Sequence, residues 1–209
     1  MSPPTYRPAP STLMTSQTLF HIIAATQKED LTETQERELV LRAKELSEDT
    51  TVADVWIGKR DANFVVVLKL TVEEHSLELF SDSASHVRFV VHSLGPVITG
   101  MWSADFASDA PNPFKDLSGF RHRYLTVLAI KSEARLFEWQ IDRWAESLAD
   151  YAGRGNVVLG PTIEERDLYR SAGLLFSQNT NDIASLTGGV FQDSQTLVEA
   201  VDCVEVDLL

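Results

Sequence analysis

The order of apolar segments constrains this chain more than any single residue does. A short β-branched run, TLFHIIAAT at 18–26, reads as a strand. Thr32, three residues ahead of Gln35, opens a helix over 33–47 with a capping box, and Leu39, Val40, Ala43 and Leu46 recur at helical spacing. Two strands follow at 52–61 and 63–72 with a turn in GKRDA between them. Thr71 and Glu74 repeat the capping-box spacing and open a short helix ending near Ser81 and Ser83; HVRFVVHSLG extends it after a break, and a fourth strand covers 97–106. A stretch rich in Pro, Asp, Ser and Gly at 107–121 reads as a linker. Beyond it the order recurs: a strand at 123–130, a long amphipathic helix capped by Ser132, strands in NVVLGPTIEE and SAGLLFSQNT, a helical DSQTLVEAV, and a last strand in CVEVDLL.

That order, β-α-β-β-α-β taken twice, is the ferredoxin-like arrangement. One such unit covers a single sheet face with its helices and leaves the other bare and apolar, so it must bury that face against a second sheet. A tandem copy supplies the second sheet within the same chain. The expected fold is therefore α+β: two ferredoxin-like units with antiparallel sheets packed as an α+β barrel pseudo-dimer, helices outside. The expected boundaries are a disordered, proline-rich lead-in at 1–16, a first repeat at 17–106, the linker, and a degenerate second repeat at 122–209. Setting FHIIA over LTVLA gives an internal offset of 105 residues, and WSADF over VEVDL gives 102, a duplication with few retained identities.

A formal charge of −13, with no basic patch to offset phosphate repulsion, excludes nucleic acid and anionic membrane surfaces as expected partners. Cys203 is the single cysteine, so no intrachain disulfide forms and a reducing, cytoplasmic home is expected. Its alternating setting reads as a small core residue. Lone, scattered ligand types give no zinc spacing, and no apolar run approaches the ~20 residues that span a bilayer. The tryptophans at 56, 102, 139 and 144 read as core, with Trp56 also able to line a pocket.

The first half resembles the stress-responsive A/B barrel domain family of dimeric α+β barrels. The resemblance is carried by HIIAATQKEDLTETQ, DVWIGKRD, SASHVRF and MWSADF, in that order, and covers residues 18–106; residues 123–209 match by order of elements alone. The family includes plant stress proteins, a plant hydroxynitrile lyase and olivetolic acid cyclase, which closes a linear polyketide by aldol condensation. It implies a pocket between helix and sheet, a base histidine at His86, a pocket histidine at His21 and a strand-ending aspartate at Asp105. The family's tyrosine falls on Phe80 and another pocket histidine on Phe64, so the cyclase mechanism does not carry over whole: a phenylalanine moves no proton. In the second half the offsets set Thr126 opposite His21 and Gly188 opposite His86, so one active site is expected, in the first half.

Read as residues, imidazoles are ready general bases near neutrality. His86 fits that role, and the resemblance adds His21, with Asp105 as its partner by family position, to polarise or protonate the substrate oxygen. The structural alternatives are a helix-start histidine bonded to a local carbonyl and a satisfied core histidine. His75 and His92 are expected to have no function. Phe64, Phe80, Trp56, Leu39 and Val40 are expected to shape an apolar substrate pocket. The preferred function is a cofactor-independent enzyme of secondary metabolism, polyketide cyclase or lyase-like, acting on a small apolar, reactive carbonyl substrate without cofactor or metal. The alternative is a non-catalytic stress-responsive or small-molecule-binding barrel, and further pairing into a homodimer is left open.

Overall fold

A computed structural model describes residues 17–71, 76–108, 124–132, 134, 136–152, 156–163, 168–177 and 201–209. His75, Glu74, Gly188, most of DSQTLVEAV, the lead-in and most of the linker lie outside them.

The first unit comprises β1 (Thr18–Gln27), α1 (Glu33–Glu45), β2 (Val52–Arg60), β3 (Asn63–Leu70), α2 (Ser76–Ser81), α3 (Ala84–Val87) and β4 (Ile98–Ser108). From the second come β5 (Tyr124–Lys131), α4 (Glu138–Ala152), β6 (Val157–Pro161), β7 (Tyr169–Ser177) and β8 (Val201–Leu208). Thr32 caps α1 as the sequence requires: its hydroxyl accepts from the Gln35 amide at 3.3 Å, and Gln35 Oε1 accepts from the Thr32 amide at 3.0 Å. A π-helical turn, Arg88–Leu94, continues α3.

The eight strands of the described residues form one sheet in the order β4-β1-β3-β2-β8-β5-β7-β6. Its two outer strands meet, with an antiparallel bridge between Phe106 and Thr162 and an Ile163 N–H donated to the Asp105 carbonyl at 3.0 Å. The sheet is thereby a closed barrel, which leaves no free edge. Alternation along the strands sends Phe20, Ile22, Val67, Phe106, Val127 and Leu174 to the interior. The other face of the first unit carries Leu19, Ile23, Val66 and Leu68 under α1 and the 76–97 segment. In the second unit Leu128 and Ile130 lie under Trp144 and Leu148 of α4.

The seams between units need glycine. A Cβ on Gly58 of β2 would run into the Val206 side chain of β8, and one on Gly160 of β6 would run into the Ala107 carbonyl of β4. These two glycines lie 102 residues apart, the offset that WSADF over VEVDL suggested. The strand register corrects that pairing for β4 and β8, however. Asp105 faces His21 and Glu205 faces Thr126, so the counterpart of Asp105 is Glu205 and not Asp207.

Other expectations shift. α4 starts at Glu138 rather than beside Ser132, because the side chain of Gln140 turns back to accept from the Phe137 amide at 2.9 Å. β4 runs two residues past 106, since Ala107 and Ser108 are buried against Leu19 and Thr18. Trp139 lies 59% exposed on α4 while Trp144 is wholly buried, so the tryptophans divide between surface and core. Cys203 is exposed on the helix side of β8, not in the core.

Replacing Gly160 with alanine should lower the unfolding free energy by about 2 kcal/mol through forced overpacking against backbone. Urea denaturation checks this, and an unchanged midpoint would mean that the seam is not this tight.

Candidate functional site

β1 carries His21 on the helix side, between Leu19 and Ile23, and strand pairing fixes its neighbours. Leu68 of β3 lies on one side and Asp105 of β4 on the other. Directly opposed side chains on one sheet face lie within contact reach. His21 Nδ1 donates to Asp105 Oδ1 at 2.6 Å, with the histidine only 6% exposed. The carboxylate accepts the hydrogen bond from Nδ1–H, which leaves Nε2 as the ring's free position, and that atom is buried without a hydrogen-bond partner.

His86 reaches the same place from a helix. Ser83 caps α3, its hydroxyl accepting from the His86 amide at 3.3 Å. The His86 ring folds back so that Nδ1 donates to the Ser81 carbonyl at 3.1 Å, again leaving Nε2 free. The two imidazoles stand nearly perpendicular, 86° apart, with centroids separated by 5.4 Å. Phe80, wholly buried, packs on both, 5.6 Å from His21 and 4.6 Å from His86. Burial holds the half-buried His86 below its ordinary 6.5, and the nearby His21 adds to this; the Ser81 carbonyl, Asp105 and Asp49 work the other way. His86 is therefore neutral at pH 7, with a lone pair on Nε2.

Three of the predicted residues, His86, His21 and Asp105, thus come together with Phe80. The remaining predicted lining residues spread out. Phe64 is level with Ala25 rather than His21, four positions along β3 from Leu68 and so about 13 Å away. Leu39 and Val40 of α1 belong to the same helix-side core. Trp56 is paired with Val67 on the barrel interior and packs on Phe20 and Phe176, so the sheet separates it from the imidazoles. Alternation against Val55 and Ile57 is the signal that places it there. His92 is exposed on the π-helical turn.

A cavity of about 350 Å³ opens between the end of α1 and the start of α3, lined by Arg42, Asp49, Ser85, Arg88, Phe89 and Ser93 among others; His21, Phe80, His86 and Asp105 do not line it. It is polar where an apolar pocket was expected, and it reaches Ser85, the neighbour of His86. Sequence reasoning missed Asp49. Its carboxylate accepts from Ser85 Oγ, from Thr51 Oγ1 at 2.6 Å and from the Thr51 amide at 3.0 Å. Burial would raise it, yet these bonds and one from Ser83 hold it down at about 2. Among the described residues no three His, Cys, Asp or Glu side chains gather as a metal site. No described helix is long and apolar enough to cross a membrane.

In the second unit Thr126 and Glu205 take the places of His21 and Asp105, and Arg60 of β2 caps them. Arg60 pairs with Glu205 and with Asp207 at 3.2 Å, and lies 4.9 Å over the Tyr124 ring. This half of the sheet carries an ion-pair knot where the first half carries imidazoles.

Compared by sequence, the chain matches no family model and no curated protein. Among solved structures it is similar to a protein provisionally assigned as a chlorite dismutase, with TM-score 0.57 and 10% identity over 93% of this chain and 95% of that one. It is also similar to an anthrone oxidase-like protein, with TM-score 0.56 and 7% identity over 92% of this chain and 91% of that one. A dabb family protein with a ferredoxin-like fold from Mesorhizobium loti matches 43% of this chain over 95% of its own length, with 19% identity and a TM-score of 0.38. The two full-length likenesses show the fold.

The lowered His86 value has a sign for stability. Between 6.5 and the folded-state value the unfolded chain holds the extra proton, so His86 neutrality supports the fold above 6.5 and that support is lost as pH falls through the folded value. His86→Gln should flatten the part of the stability profile just below 6.5 while leaving pH 8 stability within about 1 kcal/mol. Denaturant titrations at stepped pH read this directly; an unchanged slope would contradict a neutral, buried His86.

Proposed function

We propose that this chain is an enzyme that moves protons on a reactive carbonyl substrate, cyclase or lyase-like, with its own imidazoles as acid and base and no cofactor in the reaction. One observation carries the reading: two histidines, each with Nδ1 committed to an acceptor, turn toward each other with both Nε2 positions uncommitted. His86, neutral at pH 7, takes the proton from the carbon beside a carbonyl, forming an enolate and an imidazolium. The enolate carbon attacks a second carbonyl and a C–C bond forms; the proton taken by His86 passes to the uncommitted Nε2 of His21, where Asp105 stabilises the cation, and from there to the alkoxide, so both imidazoles return to their starting state. Run backwards, the same steps cleave a C–C bond. Phe80 cannot exchange a proton, so His21 takes the part that a tyrosine has in the resembled family.

A polyketide-like chain is the substrate class most in keeping with this chemistry, since its alternating carbonyls supply both an acidic C–H and an electrophile. The binding-protein reading is favoured by the direct packing of Phe80 on both rings, which fills space a substrate would need there, while the open polar cavity lies away from them. One experiment separates them: mass-spectrometric product profiling in a host that makes linear polyketides, with wild type, His86→Ala and His21→Ala. A product present only with wild type, reduced by about 10²–10⁴-fold in either variant, supports proton transfer by both imidazoles. Identical profiles in all arms would move the assignment to ligand binding.

A further inference from the structure

We propose that Asp49 is a positioning residue for His86, acting through a hydrogen-bonded relay of Ser85 and Ser83 that crosses from the turn before β2 to the start of α3. This rests on the reading of His86 as the base.

Hydroxyl arithmetic gives the relay a direction. Each serine has one proton. Ser85 gives its proton to Asp49, which as a carboxylate can only accept. Ser83 Oγ lies 2.9 Å from Ser85 Oγ, whose own proton is given to Asp49, so Ser83 is the donor of that pair. Its lone pair is thereby left for the His86 amide at 3.3 Å. Every donor in the relay points toward one carboxylate, and Thr51 pins that carboxylate from behind with its amide and hydroxyl. A low carboxylate value, about 2, fits a group holding this many donors.

The relay matters because α3 is only four residues long and is followed by a π-helical turn, so little regular helix holds His86 in place. Its ring is fixed by the Ser81 carbonyl just upstream. Without the cap, both the backbone of His86 and the angle at which its ring meets His21 lose their anchor. Asp49 and Ser85 also line the polar cavity, so the relay borders the space through which solvent or a ligand approaches the helix start.

The test is nitrogen NMR of the His86 ring in the full chain, comparing wild type, Asp49→Asn and Ser85→Ala, with thermal melts confirming folding. Wild type should show one tautomer, protonated on Nδ1. Three groups besides Ser81 set its titration: His21 on β1, Asp105 on β4 and Asp49 itself. Both variants should lose the single tautomer and raise amide exchange at His86 by about 10-fold, the effect of one lost hydrogen bond. Asp49→Asn should in addition lower the titration midpoint, since a charge that favours the imidazolium is gone. A shifted midpoint in Asp49→Asn with an unchanged tautomer and amide in Ser85→Ala would overturn the relay and leave only a through-space field. If Asp49→Asn does not fold, Ser85→Ala alone decides. Because the readout is spectroscopic, a protein without turnover would sink the base reading and leave this measurement intact.

Discussion

Burial of two apolar sheet faces against each other is the interaction on which the rest of this molecule depends. Neither four-stranded half could leave Phe20, Val67 and Phe106, or Val127 and Leu174, in water. At about 25 cal/mol per Å² of apolar surface, faces of this size outweigh any polar contact in the molecule. Closing the sheet also satisfies the edge strands of both halves, through β2 with β8 and β4 with the end of β6. Everything with chemical interest then lies on the opposite faces, beneath the helices.

The imidazole pair is assembled by two different kinds of constraint. His21 is held by ladder register, which cannot slip without turning the whole apolar face of β1 outward. His86 is held by a short cap and a nearby carbonyl. One side of the site is as rigid as the barrel; the other is only as rigid as a few hydroxyl bonds.

Local signals in the sequence, and those tied to alternation, proved legible. The capping box at Thr32 and the shared face of Leu19, His21 and Ile23 follow from short-range spacing and are present in the structure, as is the β-α-β-β-α-β order of the first unit; the last helix expected in the second, DSQTLVEAV, lies almost wholly outside the described residues. Asp105 as the partner of His21 came from family resemblance, and register agrees with it. What stayed hidden is long-range or irregular. Asp49 and Ser85 lie 36 residues apart with no periodicity linking them, and the π-helical turn after His86 follows from no composition rule. Trp56 belongs to the core as expected but not to a pocket with the imidazoles, since alternation with Val55 and Ile57 turns it to the barrel interior. The offset between β4 and β8 failed by two residues, since sequence similarity of WSADF and VEVDL is weaker than the strand pairing that sets the true match.

The unequal halves carry a consequence of their own. A barrel made from two identical chains must repeat every residue, so a site built in one subunit is built in both, and any residue that suits catalysis must also suit the other half. Here a single polypeptide encodes both halves separately. Thr126 and Glu205, clasped by Arg60, can serve cohesion while His21 and Asp105 stay free of that duty. Covalent fusion has released the protein from symmetry, and with it from the compromise that symmetry imposes between holding together and reacting.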